Sequence, residues 1–207
     1  MEIKQIDGAV IYTSGMNIDG DGGTDCYSPN GNGRDYLKNA GEDQNWFGIV
    51  TDNGQKDGNP IIQGPDDPCP GFYVSPTALA DHSKKEADPR RYVDSSNVPY
   101  ISVPRELKEY LGCLCVVFYK DMMVCGIVAD VGPAHKYGEA SICTAQRLGI
   151  PSSPKNGGVE SGVTYLILTG TSKGWSEDIK NSLENDAQAA FEAFGGLPKI
   201  KEIMGWQ

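Results

Sequence analysis

Apolar and polar positions alternate over residues 1–18, with Ile3, Ile6, Val10 and Tyr12 on the apolar side, which predicts one or two strands. From Asp19 the pattern breaks into Asp-Gly-Asp-Gly-Gly-Thr-Asp and Ser-Pro-Asn-Gly-Asn-Gly, the residue types of turns and loops. Residues 46–50 and 71–75 read as short strands, and 76–79 as one helical turn. Residues 52–70 are rich in Gly, Pro, Asn and Asp, and 81–97 are charged. The second half is denser. Residues 100–103 form a strand, and Pro104 opens a short helix. Residues 114–119 and 122–129 are two strands joined by a tight turn at Lys120-Asp121. A helix is expected over 139–148 and a strand over 163–168. An amphipathic helix is expected over about 176–194, with Ser176 as N-cap, Glu177 and Asp178 in the first turn, and Gly195-Gly196 as the stop.

The period of two dominates, so the expected fold is mainly β, a β-rich α+β domain with a few peripheral helices and long loops. A length of 207 residues suits one domain, with a core over about 9–170 and a helical extension over about 171–207. The chain has 26 glycines and 13 prolines without a period, which fits a fold with many turns and excludes collagen. Net charge is −10, so neither a nucleic acid nor an anionic membrane is the expected partner, and a neutral or cationic one fits better. No stretch of 18 apolar residues predicts a membrane span. The opening Met1-Glu2-Ile3-Lys4 is not a signal-peptide type of start, so export by that route requires a leader removed beforehand. The six cysteines include no CxxC pair, and only two histidines are present; no metal or cofactor is expected. An even cysteine count leaves disulfides open, but most of these residues read as buried thiols.

The chemistry concentrates in Val128-Ala129-Asp130-Val131-Gly132-Pro133-Ala134-His135-Lys136-Tyr137-Gly138-Glu139-Ala140-Ser141. A strand carries Asp130 toward its end, Gly132-Pro133 turns the chain, and Glu139 follows nine positions on at an expected helix start. Two carboxyl groups offered this way suit glycosidic cleavage, one protonating the leaving oxygen and the other activating water or attacking directly. The same residues also serve as a turn aspartate and a helix-start glutamate.

The run Cys125-Gly126-Ile127-Val128-Ala129-Asp130, followed by Gly138-Glu139-Ala140-Ser141-Ile142, resembles the core motif of glycoside hydrolase family 75, the fungal-type chitosanases. Further blocks fall in that family's order: residues 14–22, 71–79, 98–104 and 163–167, so the resemblance covers about residues 12–170. It implies endo-hydrolysis of chitosan with inversion, Asp130 and Glu139 as the essential acids, Glu139 as proton donor and Asp130 as base or charge stabiliser. The segment 132–137 departs from the family's more polar Asn-Gly loop. That departure, with Asp-x-Gly-Pro and a helix ending in Leu148-Gly149, is similar to the double-psi β-barrel proteins. Those include expansins, barwin-like proteins, family 45 endoglucanases and some peptidoglycan lytic transglycosylases. Both likenesses imply a six-stranded double-psi-like barrel with an open groove. They imply a secreted, monomeric enzyme acting on a polysaccharide.

Other candidates carry two readings each. Asp19, Asp21 and Asp25 read as turn residues, as contacts to the amines of a glucosamine polymer, or as a calcium loop, which Asn30 in place of a bidentate Glu argues against. Tyr12, Tyr73, Tyr137 and Trp46 stack on sugars or pack in the core, with Tyr137 the first stacking candidate. His135 relays protons beside the acids or is simply solvated. His82 lies in a charged stretch, Ser141 lacks a Gly-x-Ser-x-Gly elbow, and no Gly-Lys-Ser/Thr follows the early glycines. Three functions remain open: a chitosan hydrolase, a peptidoglycan-directed glycosidase, and a non-catalytic polysaccharide-binding barrel.

Overall fold

The computed structural model describes residues 2–206. Nine strands and three α-helices follow in the order β1 (Ile3–Ile6), β2 (Ala9–Asp19), β3 (Gly41–Glu42), β4 (Asn45–Trp46), β5 (Tyr100–Pro104), β6 (Leu114–Tyr119), β7 (Met122–Gly132), β8 (Glu139–Ser141), α1 (Ile142–Arg147), β9 (Val159–Leu168), α2 (Glu177–Phe194) and α3 (Gly196–Met204). Six strands close on themselves in the order β2-β8-β5-β7-β6-β9 and back to β2, while β1 hangs on β2 as a hairpin. The β2–β8 and β5–β7 pairs are parallel, and the other contacts around the ring are antiparallel. The expected mainly β fold, a six-stranded barrel with peripheral helices, is the one observed.

Both faces of β6 are covered, which explains why it reads as an unbroken apolar run rather than an alternating one. Cys115 and Val117 point into the barrel with Tyr12, Met16 and Tyr165. Leu114, Val116 and Phe118 point outward against Leu183, Ala187 and Phe191 of α2. The Ser176 hydroxyl accepts from the Ile179 amide at 3.3 Å, and Gly195 ends α2 at φ 121°. Helices α2 and α3 thus cover an apolar barrel face, the burial that makes an amphipathic helix stable.

Several local expectations give way to tertiary pairing. The helix expected over 139–148 is only Ile142–Arg147, because residues 139–141 are captured as β8 between β2 and β5. Ser141, rather than Glu139, stands at the helix start; its hydroxyl accepts from the Thr144 amide at 3.1 Å. Strand β7 runs on to Gly132, so Asp130 lies within it. Of residues 46–50 only Trp46 is in a strand. Residues 71–75 make a single bridge, Tyr73 to Ile62, and 76–79 form no helical turn. The long excursion between β2 and β5 has its own small core of Val50, Val74, Ala80 and Tyr92. All six cysteines are free thiols, with Cys26, Cys113, Cys115 and Cys143 buried.

Candidate active site

The site begins with a β-bulge. Ile101 of β5 pairs with Val128 of β7, but the next residue, Ser102, pairs with Asp130, so Ala129 is extra. Val128 points into the barrel and Ala129 outward. Strict alternation would send Asp130 inward, toward an apolar core. The extra residue keeps it on the outer face beside Ser102, the re-aiming for which bulges are known. On the other side of β5, Ser102 pairs with Glu139 of β8. Residues in register share a face, so Asp130, Ser102 and Glu139 form one outward row.

The row continues across β8, where Glu139 pairs with Asn17 of β2; Asp19, two residues further along β2, faces the same way beside Ser141. Gly138 makes the tight entry into β8. Its φ is 82°, and a Cβ there would meet the Gly15 carbonyl at 2.5 Å. Gly132 clears the other side, since a Cβ there would stand 3.3 Å from Glu139 Oε2 and 3.6 Å from Ser102 Oγ. The Glu139 carboxylate therefore leans across β5 toward β7.

Four carboxyl groups gather here. The Asp130 carboxylate accepts from the Ala78 amide at 2.8 Å and lies 3.5 Å from the Ser102 hydroxyl. Burial raises its pKa to about 6 against the pull of the Ala78 and Val131 amides, and the nearby Glu139 charge adds to the rise. Asp19 accepts from the Asp21 amide at 2.9 Å. Asp21 accepts from the Tyr27 hydroxyl at 2.8 Å, and that hydroxyl also lies 3.3 Å from Asp35. Burial, then mutual repulsion among the carboxylates, pushes both Asp19 and Asp21 well above the usual range. The countercharge comes from Lys136, whose Nζ stands 2.9 Å from Glu139 Oε1.

A cleft of about 560 Å³ opens over part of this wall. Asp19, Asp21, Lys136 and Glu139 lie on it, with Asp35, Lys38, Phe47 and Lys155 further round. Asp130 is set beside it, beneath Ala78, rather than on its lining.

The remaining candidates fall elsewhere. His135 Nδ1 lies 3.0 Å from Glu106 Oε1, and the Tyr137 hydroxyl donates to the same oxygen at 3.0 Å. The Tyr137 ring meets Tyr12 edge-on at 5.3 Å, and Tyr12 stacks on Tyr165 inside the barrel. Tyr73 packs near Trp46, which is buried. Asp25 turns away to pair with Arg34 at 2.6 Å. His82 contacts Arg91. Sequence reasoning had passed over Ser102, Lys136 and Phe47. Ser102 has no local signal, since its role comes from pairing with both acid-bearing strands. Lys136 lay in the quoted loop at a spacing of three from Glu139, a pair that reads as a salt bridge only once the loop geometry is known. Phe47 is 56% exposed beside buried Trp46, so the aromatic that reaches the cleft is the neighbour of the one expected.

The arrangement can hold a proton on the buried Asp130 carboxyl and sets the Glu139 carboxyl against the Lys136 ammonium at the cleft. No protein-family model matches the chain, and no curated protein matches it in sequence.

Proposed function

We propose that the protein is an endo-acting glycoside hydrolase that cleaves chitosan, the β-1,4-linked glucosamine polymer, with inversion. The observation that carries this reading is the placement of Asp130 and Glu139 in register with Ser102 from its two sides. Two inter-strand spacings separate their backbones, roughly 10 Å. That is a backbone spacing; inversion requires the carboxyl groups themselves to stand about 6.5–9.5 Å apart, leaving room for the attacking water. Asp130, raised to about 6, holds a proton under mildly acidic conditions and donates it to the leaving oxygen. Glu139, the partner of the Lys136 ammonium, takes the proton of the water that attacks the anomeric carbon. This division reverses the one that the family resemblance implies. The polymer is a polycation, and a chain with net charge −10 attracts it at long range. On this reading the enzyme works outside the cell and uses no cofactor.

Proton NMR of freshly cut chitosan tests the proposal. The α-anomer appearing first is expected; the β-anomer appearing first overturns inversion, and no new reducing ends overturns the hydrolase. Cleavage of peptidoglycan alone moves the substrate to the cell wall.

A further inference from the structure

We propose that Glu106 is a positioning residue: it fixes the loop after β7 so that the Lys136 ammonium stands against the Glu139 carboxylate. The inference rests on the glycosidase reading and names the residue that sets the charge beside its base. Glu106 lies in the first turn of a 3-10 helix, Arg105–Tyr110, that follows β5 directly. Its neighbour Leu107 is buried in the barrel core and seats that helix. Strand β5 also carries Ser102, the residue that both acids pair with. One stretch of chain therefore spaces the acids and, four residues on, anchors the loop between them.

Three groups of the loop converge on the Glu106 carboxylate. The His135 amide donates to Oε1 at 3.0 Å and stands 3.2 Å from Oε2. His135 Nδ1 lies 3.0 Å from Oε1, and the Tyr137 hydroxyl donates to the same oxygen at 3.0 Å. This grip accounts for a strained backbone. His135 is not glycine, yet its φ is 63°, and its side chain is 89% exposed, so burial does not hold it there. The Tyr137 end has further supports, since its ring meets Tyr12 and the Asn17 amide donates to the Gly138 carbonyl at 2.8 Å. At the His135 end the side-chain partner is Glu106. Lys136 sits between the two tethered residues, so its direction is set, and Nζ meets Glu139 Oε1 at 2.9 Å although 46% of its side chain is exposed. A part-exposed ion pair on an untethered loop is worth little, because both side chains must be ordered to make it. Glu106 supplies that ordering in advance.

A double-mutant cycle tests this, with steady-state kinetics on soluble chitosan for wild type, Glu106→Ala, Lys136→Gln and the double variant, and folding checked by circular dichroism. Glu106→Ala is expected to lower kcat by about tenfold and leave KM near the wild-type value, the pattern of a displaced reacting group. Lys136→Gln is expected to do the same. The double variant is expected to be no slower than Lys136→Gln alone, because the two residues act through one contact. Losses that multiply, an unchanged kcat in Glu106→Ala, or a rise in KM alone overturns the positioning role. Proton–nitrogen NMR of the lysine ammonium groups, recorded cold, reads the same contact without turnover. The Lys136 signal, identified by its loss in Lys136→Gln, is expected in wild type and is expected to shift or broaden away in Glu106→Ala. A Lys136 signal that is absent from wild type or unmoved by Glu106→Ala overturns the proposal whether or not chitosan is cut. A signal that moves in a protein releasing no reducing ends overturns the glycosidase reading alone.

Discussion

Asp130 and Glu139 pair with the same residue, Ser102, from opposite strands, and a bulge at Ala129 keeps the aspartate on the glutamate's face of the barrel. Neither acid is placed by its own loop. The spacing between them is a property of the sheet, so it is rigid, and rigid elements hold catalytic groups better than loops do.

That rigidity makes Gly132 a sensitive position. A methyl group there would stand 3.3 Å from Glu139 Oε2, tight enough to move the carboxylate by a few tenths of an ångström. Gly132→Ala is expected to keep the melting temperature within a few degrees and lower kcat by roughly tenfold, since small displacements of reacting groups are costly. Full activity in a folded Gly132→Ala protein would show that the position of Glu139 does not matter.

The pH profile follows from Asp130. A proton donor works only while protonated, and burial places its pKa at about 6. Activity on a short glucosamine oligomer is therefore expected to fall as pH rises through about 6, losing tenfold per unit beyond it. An activity that climbs through that window would assign the donor role elsewhere.

The C-terminal helices bear on stability. Phe191 is 1% exposed and meets Phe118 on the barrel wall with ring centroids 5.8 Å apart. Phe191→Ala is expected to cost about 3–5 kcal/mol in chemical denaturation, the range for a large buried aromatic. A loss under about 1 kcal/mol would make α2 an appendage instead of part of the packed core.

Much of this architecture was legible where structure is local. The hairpin of β6 and β7 declares itself by two apolar runs around Lys120-Asp121, and α2 by its cap, its stripe and its terminal glycines. The bulge was not legible, because nothing in Val128-Ala129-Asp130 says that the partner strand skips a residue. Strand β8 was not legible either. Three residues ahead of a helix look helical until β2 and β5 claim them from distant parts of the chain. The acids Asp130 and Glu139 stood out by type and spacing, and Asp19 at the end of β2 and Asp21 in the turn after it do lie near enough for their charges to interact with both. His135 and Tyr137 looked like site residues because they lie between the acids in sequence. In space they brace the loop against Glu106, and Lys136 alone of that segment's side chains pairs with an acid of the cluster.

The most direct measurement is reducing-end release from soluble chitosan by wild type and by Glu139→Gln, with equal folding verified by thermal denaturation. The account predicts turnover by wild type and a loss of about 10²–10⁴-fold in the variant, the usual contribution of a positioned acid or base. Undiminished release by a folded Glu139→Gln protein would contradict it.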